Sequence, residues 1–280
     1  MSIPVAVAPR ARTKGPLHAV ADVAVLTRRN LLHVVRLPGV LLLSSVMPVV
    51  FVVMFTYVFG GAVGQALPPA AAGRYVNWLV PGLLAQFALF NGAATAAGLA
   101  EDLGKGSIDR FRSLPVARVA VLAARTLSDL CRSAVTLTLM VVVGFMIGFR
   151  WQTDVRGMVA GIAVALAFGY GWSWAMAAVG LLVRTAEAVQ AAVYTVVFPL
   201  GFTSAVFVPV ETMPDWLRPL AAHQPVTVTA NAVRGLVLGP GAVPAGESVT
   251  GQVLLALLWA TAITAVSAPL AVRAFRHATA

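Results

Sequence analysis

The chain has 280 residues, 59% of them hydrophobic and 11% charged, with 20 Lys and Arg against 10 Asp and Glu. A water-soluble domain of this size has no interior large enough to hide so much apolar surface, so the composition implies lipid as the solvent. The net charge of +10 does not point to nucleic acid, because the cations are ordered around apolar runs rather than gathered into one patch.

Residues 1–16 carry Pro, Arg and Lys without periodicity and read as a flexible, basic cytoplasmic tail. Residues 17–36 are amphipathic. His18, Asp22, Arg29, His33 and Arg36 fall on one stripe of a helix, and Leu17, Val20, Ala24, Leu31 and Val35 on the other face. Such a helix lies along the inner membrane interface, its cations among anionic headgroups; the alternative is a long cytoplasmic start to the first span. Pro38 favours a break there, because the residue before proline is pushed out of the helical region.

From 37 to 274 the chain reads as one six-span transmembrane domain, followed by a short cytoplasmic tail over 275–280. Six runs without Asp, Glu, Lys or Arg predict spans at about 39–59, 77–100, 127–149, 157–183, 188–210 and 253–272. A hydrocarbon layer ~30 Å thick needs about 20 helical residues, which nearly every run supplies. The third run begins at Ser133, but Arg125, Asp129 and Arg132 sit just before it at helical spacing and can pair at headgroup depth, so that span extends back to 127. These three read as a structural ion-pair cluster rather than a proton carrier. Between the fifth and sixth spans, 214–222 and 226–238 predict two short helices forming an external cap or re-entrant hairpin, with Trp216 suited to the outer interface. The fold class is therefore an all-α membrane protein: six transmembrane helices, an N-terminal interfacial helix and a short external helical hairpin.

Charge sets the orientation. With both termini cytoplasmic, Arg74, Arg150, Arg156, Arg218 and Arg234 alone of the 20 Lys and Arg fall outside. Cationic loops resist translocation, which favours this arrangement.

Chemistry-bearing motifs are sparse. Gly104 and Lys105 superficially suggest a phosphate loop, but Leu99 stands where its first glycine belongs and Gly106 where Ser or Thr would hold magnesium. The four histidines, His18, His33, His223 and His277, lack ligand spacing, and no nucleophile elbow is present, so no catalytic, metal or cofactor residue is assigned. A polytopic membrane enzyme is the competing class, yet outside Glu101, Asp102 and Asp109 the acids are scattered singly. Tyr170, Trp172 and Trp174 in the fourth run, and Phe198 and Pro199 in the fifth, are candidates for a substrate path, with ordinary helix packing as the alternative.

The most specific segment is 101–118, EDLGKGSIDRFRSLPVAR. Its glycines and Pro115 set bends between charges of both signs, an arrangement suited to docking in a partner's groove, with Phe111 and Leu114 supplying burial; a solvated loop is the alternative. Through Glu101, Asp102, Gly106, Asp109, Arg110, Phe111, Arg112, Ser113, Leu114 and Pro115, and through His223, Gln224, Pro225, Val226, Thr227, Asn231, Arg234 and Gly235 further on, the chain resembles the permease subunits of ABC type-2 exporters, particularly the daunorubicin-resistance permease group. The resemblance implies a multi-pass protein of the bacterial plasma membrane that moves a hydrophobic or amphiphilic compound, such as a drug, antibiotic or lipid, out of the cell; export of a polysaccharide is the rival. It implies that 101–118 is the coupling turn for a separate ABC ATPase, with the 17–36 helix beside it. It also implies a second permease copy as partner, with ATP and magnesium on the ATPase and none in this chain.

Overall fold

The computed structural model of the chain describes Thr27 and residues 38–63, 67–71, 73–104, 118–183 and 185–278. The expected interfacial helix, with Asp22, Arg29 and Arg36, lies outside the described residues apart from Thr27. So do Gly106, Asp109, Arg110, Phe111, Arg112, Leu114 and Pro115 of the expected coupling turn.

Among the described residues the regular elements are helices: α1 (Pro38–Val63), α2 (Tyr75–Gly104), α3 (Arg118–Ile147), α4 (Val155–Val183), α5 (Ala186–Phe202), α6 (Arg218–His223), α7 (Pro225–Leu238) and α8 (Val249–Ala278). Helix is the form that satisfies every backbone polar group within one segment, as a hydrocarbon environment requires. The helices α1, α2, α3, α4 and α8 are long and apolar enough to cross a membrane. The last of them runs on through Ala278, past the expected end of the sixth span.

The expected fifth span behaves differently. Helix α5 has 17 residues, about 25 Å of rise, and stops at Phe202 although the uncharged run continues to 210. Pro199 removes one backbone donor from its last turn, and the Thr203 N–H turns back to the carbonyls of Gly201 and Pro199. Beyond it Ser204, Ala205, Val206 and Phe207 fold inward and are buried, and the Ala205 N–H donates to Thr227 Oγ1 at 3.0 Å. Tertiary partners for the backbone thus replace the final helical turns.

The centre of the bundle is the α2–α4 pair, and α4 packs in turn along α8. Close approach rests on small residues. A Cβ on Gly180 would lie 2.4 Å from the Ala96 carbonyl oxygen, and one on Gly169 would lie 3.1 Å from Ala88 Cβ. Ala88, Gly92 and Ala96 repeat at intervals of four along α2, the small-residue stripe that lets two membrane helices touch backbone to backbone. On the other side of α4, Gly171 meets the Ala260 carbonyl of α8. Helices α1 and α8 are peripheral, and their exposed Met47, Val50, Tyr57, Leu254, Leu258 and Val266 form the apolar exterior expected against lipid.

Of the two readings of the hairpin between α5 and α8, external cap or re-entrant hairpin, the packing of α7 fits the second, while α6 stays largely exposed. Helix α7 is buried nearly all round and packs against α2, α4 and α8, taking Thr227, Thr229, Asn231 and Arg234 inward with its apolar residues. Loops at this end are tied together: the Gln152 N–H donates to Val237 O at 2.9 Å, Thr153 Oγ1 donates to Leu236 O, and Asn77 Nδ2 donates to Ala71 O while its Oδ1 accepts from the Arg150 N–H. At the opposite end, Leu99, Leu122, Leu181, Ala271 and Phe275 form a second apolar cluster.

Candidate functional site

The described ends of the 101–118 turn are α2 up to Gly104 and α3 from Arg118. There the sequence-predicted pairing within α3 is present: Asp129 lies 3.6 Å from Arg125 Nε, one turn away, and 3.2 Å from Arg132 Nη2. The structure adds two partners from α2. Arg125 Nη1 donates to Asp102 Oδ2 at 3.2 Å, and Thr95 Oγ1 donates to Asp129 Oδ2 at 2.7 Å. Two acids and two guanidinium groups make the cluster neutral, which lowers the cost of placing it at the membrane boundary. Glu101 is exposed beside it. Both α2 partners escaped the sequence reading, because helical spacing reports pairs within a helix and is silent about pairs across a turn. Cys131, between these charges, is a free thiol and half-buried.

The candidate path residues are distributed rather than gathered. Trp172 is buried in the main core, where a Cβ on Gly92 would meet its ring at 2.6 Å. Trp174 belongs to the second cluster, with Tyr170 edge-on to it at 6.4 Å. Neither indole N–H has a hydrogen-bond partner among the described residues. Phe198 and Pro199 instead lie on the open side of α5.

Phe198 is one member of a closed aromatic circuit. Its ring is 5.6 Å from Phe202 and 5.7 Å from Phe90, and Phe202 reaches Phe207 at 5.4 Å. Phe207 stacks on Phe55 at 4.6 Å, Phe55 on Phe51 at 5.4 Å, Phe51 meets Phe87 at 5.5 Å, and Phe87 returns to Phe90 at 5.8 Å. These spacings are those of favourable ring–ring contacts. Helices α1 and α5 each pack on α2, and the circuit joins all three through the buried Phe207. Phe198 and Phe202 are nearly half exposed. A shallow cavity continues from this face between α2 and α5, lined by Phe90, Ala93, Ala94, Ala97, Val193 and Tyr194, with Gln190 as its one amide. It is an uncharged, aromatic surface able to stack a flat apolar molecule. The four-residue spacings of Phe51 with Phe55 and of Phe198 with Phe202 were visible in the sequence, but nothing there brought the helices together.

At the end of the bundle opposite the 101–118 turn, Arg234 of α7 is fully buried. Its Nη2 donates to Val206 O at 2.8 Å, Nε to Trp78 O at 3.2 Å and Nη1 to Asn231 Oδ1 at 3.3 Å, and Cζ lies 3.6 Å from the centre of the Trp78 ring. Tyr75 reinforces the junction, its hydroxyl donating to Phe207 O at 2.9 Å. One cation thereby joins α7, α2 and the turn after α5.

Comparison with known proteins agrees with this architecture. Residues 21–238 match the family described as ABC-2 type transporter. The chain is 34% identical over 264 residues to the daunorubicin resistance ABC transporter permease protein DrrB1 of Streptomyces coeruleorubidus, covering 94% of this chain and 89% of that protein. It is 26% identical over 230 residues to the probable doxorubicin resistance ABC transporter permease protein DrrC of two Mycobacterium tuberculosis strains, covering 82% of this chain and 79% of theirs. With five helices able to span a membrane and a family match over most of its length, the chain belongs to the ABC-2 type transporter family as a multi-pass permease.

Proposed function

We propose that this chain is the membrane half of an ATP-driven exporter that moves a hydrophobic or amphiphilic compound out of the cell. The observation that carries the substrate class is the aromatic circuit between α1, α2 and α5: its exposed edge, the stacked Phe198 and Phe202, has no fixed charge, compensates no strongly anionic solute and suits a flat apolar one. The daunorubicin and doxorubicin named for its relatives are consistent with that class. Energy enters from a separate ABC ATPase docked on 101–118 beside the 17–36 helix, with ATP and magnesium held by that partner. A second copy of the permease completes the transporter. Both termini are cytoplasmic in this reading; the end of α8 shares the second apolar cluster with the α2 and α3 ends that flank the turn, which supports placing the C-terminus on the side of the turn.

The mechanical reading is that nucleotide binding closes the ATPase subunits, pushes on the turn, and shifts the permease halves between inward and outward states. Reconstitution of the permease with its ATPase is the test. Transport of an aromatic amphiphile is expected to disappear, together with partner binding, in the Asp109→Lys, Arg112→Glu variant. Unchanged transport and binding would remove the assignment of the turn.

A further inference from the structure

Helices α2 and α3 leave the cytoplasmic turn as two arms joined through 105–117. Near the turn Arg125 reaches from α3 to Asp102 on α2, and deeper in the bundle Thr95 reaches back to Asp129. Asp102 and Thr95 are two helical turns apart, about 10 Å, and fixing two helices at two separated points fixes their angle as well as their distance. Room for the guanidinium is provided by α2 itself. A Cβ on Gly98 would lie 1.8 Å from Arg125 Nη2, so any larger residue there displaces the side chain from its seat.

From this geometry we infer that Arg125 is a positioning residue for energy coupling: it ties the two arms of the turn so that displacement at the turn moves α2 and α3 as one lever. The inference rests on the proposal that an ATPase docks on that turn. Arg125 suits the task because its planar fork serves the Asp102 and Asp129 carboxylates at once, whereas an ammonium is a single point charge. The Asp102 end is partly exposed, so the tie can loosen locally without unfolding the bundle, while the Asp129 end is nearly enclosed and held additionally by Arg132. The lever continues into the core, since α2 is the helix against which α4 packs most extensively and on which the aromatic circuit is built.

The experiment uses full-length permease co-purified with its ATPase and reconstituted in vesicles, reading ATPase co-purification, ATP turnover and substrate moved per ATP. If the wild-type permease retains no ATPase, the docking proposal fails and not the tie. With docking present, Arg125→Gln is expected to leave co-purification and ATP turnover at wild-type level while substrate moved per ATP falls about tenfold, and Arg125→Lys restores only part of it. Wild-type transport per ATP in Arg125→Gln overturns the inference. Should Arg125→Gln lose co-purification, the deciding variant is Asp102→Cys with Arg125→Cys in a Cys131→Ser background, bridged by a short bis-maleimide. Recovery of transport on bridging upholds a mechanical tie, and bridged protein no better than unbridged overturns it.

Discussion

Arg234 sits with its guanidinium carbon 3.6 Å from the centre of the Trp78 ring, fully buried and, among the described residues, without a carboxylate partner. Its charge is met by the ring face and by three oxygen acceptors, arranged so that each side of the planar fork has one. Gly82 makes that position available, since a Cβ there would lie 2.6 Å from Arg234 Nη2. Arg234→Lys keeps the charge but cannot reach all three acceptors, and the unmet carbonyls should cost about 2 kcal/mol. The expected outcome is a lower midpoint of thermal unfolding in detergent. A midpoint equal to wild type would mean that the fork geometry contributes nothing.

The α2–α4 seam makes a sharper contrast. Gly180→Ala places a methyl 2.4 Å from the Ala96 backbone oxygen, which the backbone can relieve only by separating the two helices. The overpacking should destabilise by about 1–3 kcal/mol. Gly61→Ala, on α1 with nothing within 4 Å of the added atom, is the matched control and should be neutral or slightly stabilising. Denaturant titration of the two variants side by side checks this, and equal midpoints would remove the seam as a determinant of stability.

Asn77 supports the loops at the Arg234 end of the bundle in a way open to separate measurement. Its amide nitrogen holds Ala71 O at 3.2 Å and its oxygen accepts from the Arg150 N–H at 2.9 Å, joining the α1–α2 and α3–α4 connections. Asn77→Leu, similar in size, strands both backbone groups and should cost about 2 kcal/mol. Faster proteolysis at these two loops is the expected sign, against unchanged cleavage at the opposite end of the bundle.

Much of this architecture was legible before any coordinates. Uncharged runs located α1, α2, α3, α4 and α8, because the absence of charge over a membrane thickness is itself the physical requirement. The end of α5 was not legible: the run stays apolar to 210, and what stops the helix is the Thr203 cap together with Thr227 receiving the chain. Burial of α7 was equally hidden, since 14 residues are too few to register as a span and Asn231 and Arg234 stand among the apolar ones. Of the ionic cluster, the α3 residues announced themselves by spacing and Asp102 and Thr95 did not. The aromatic circuit takes rings from three helices and a turn, and no periodicity within one element encodes which helices will be neighbours.

That circuit yields the prediction closest to function. Phe198 combines ring contacts to Phe90 and Phe202 with 44% exposure, so it can engage a ligand without first leaving the core. Phe198→Ala removes a stacking face and should reduce transport of a planar aromatic amphiphile by about two- to tenfold, the range expected for one ring–ring contact. Phe198→Leu keeps the apolar volume but not the ring. It should therefore rescue transport of an aliphatic amphiphile while leaving the aromatic one impaired. Leu258→Ala, on the exposed face of α8 away from the circuit, should change neither. Transport of both amphiphiles by vesicles carrying each variant, normalised to inserted protein, separates stacking from simple loss of hydrophobicity. Equal rescue of the two substrates by leucine would show that the rings act through bulk alone.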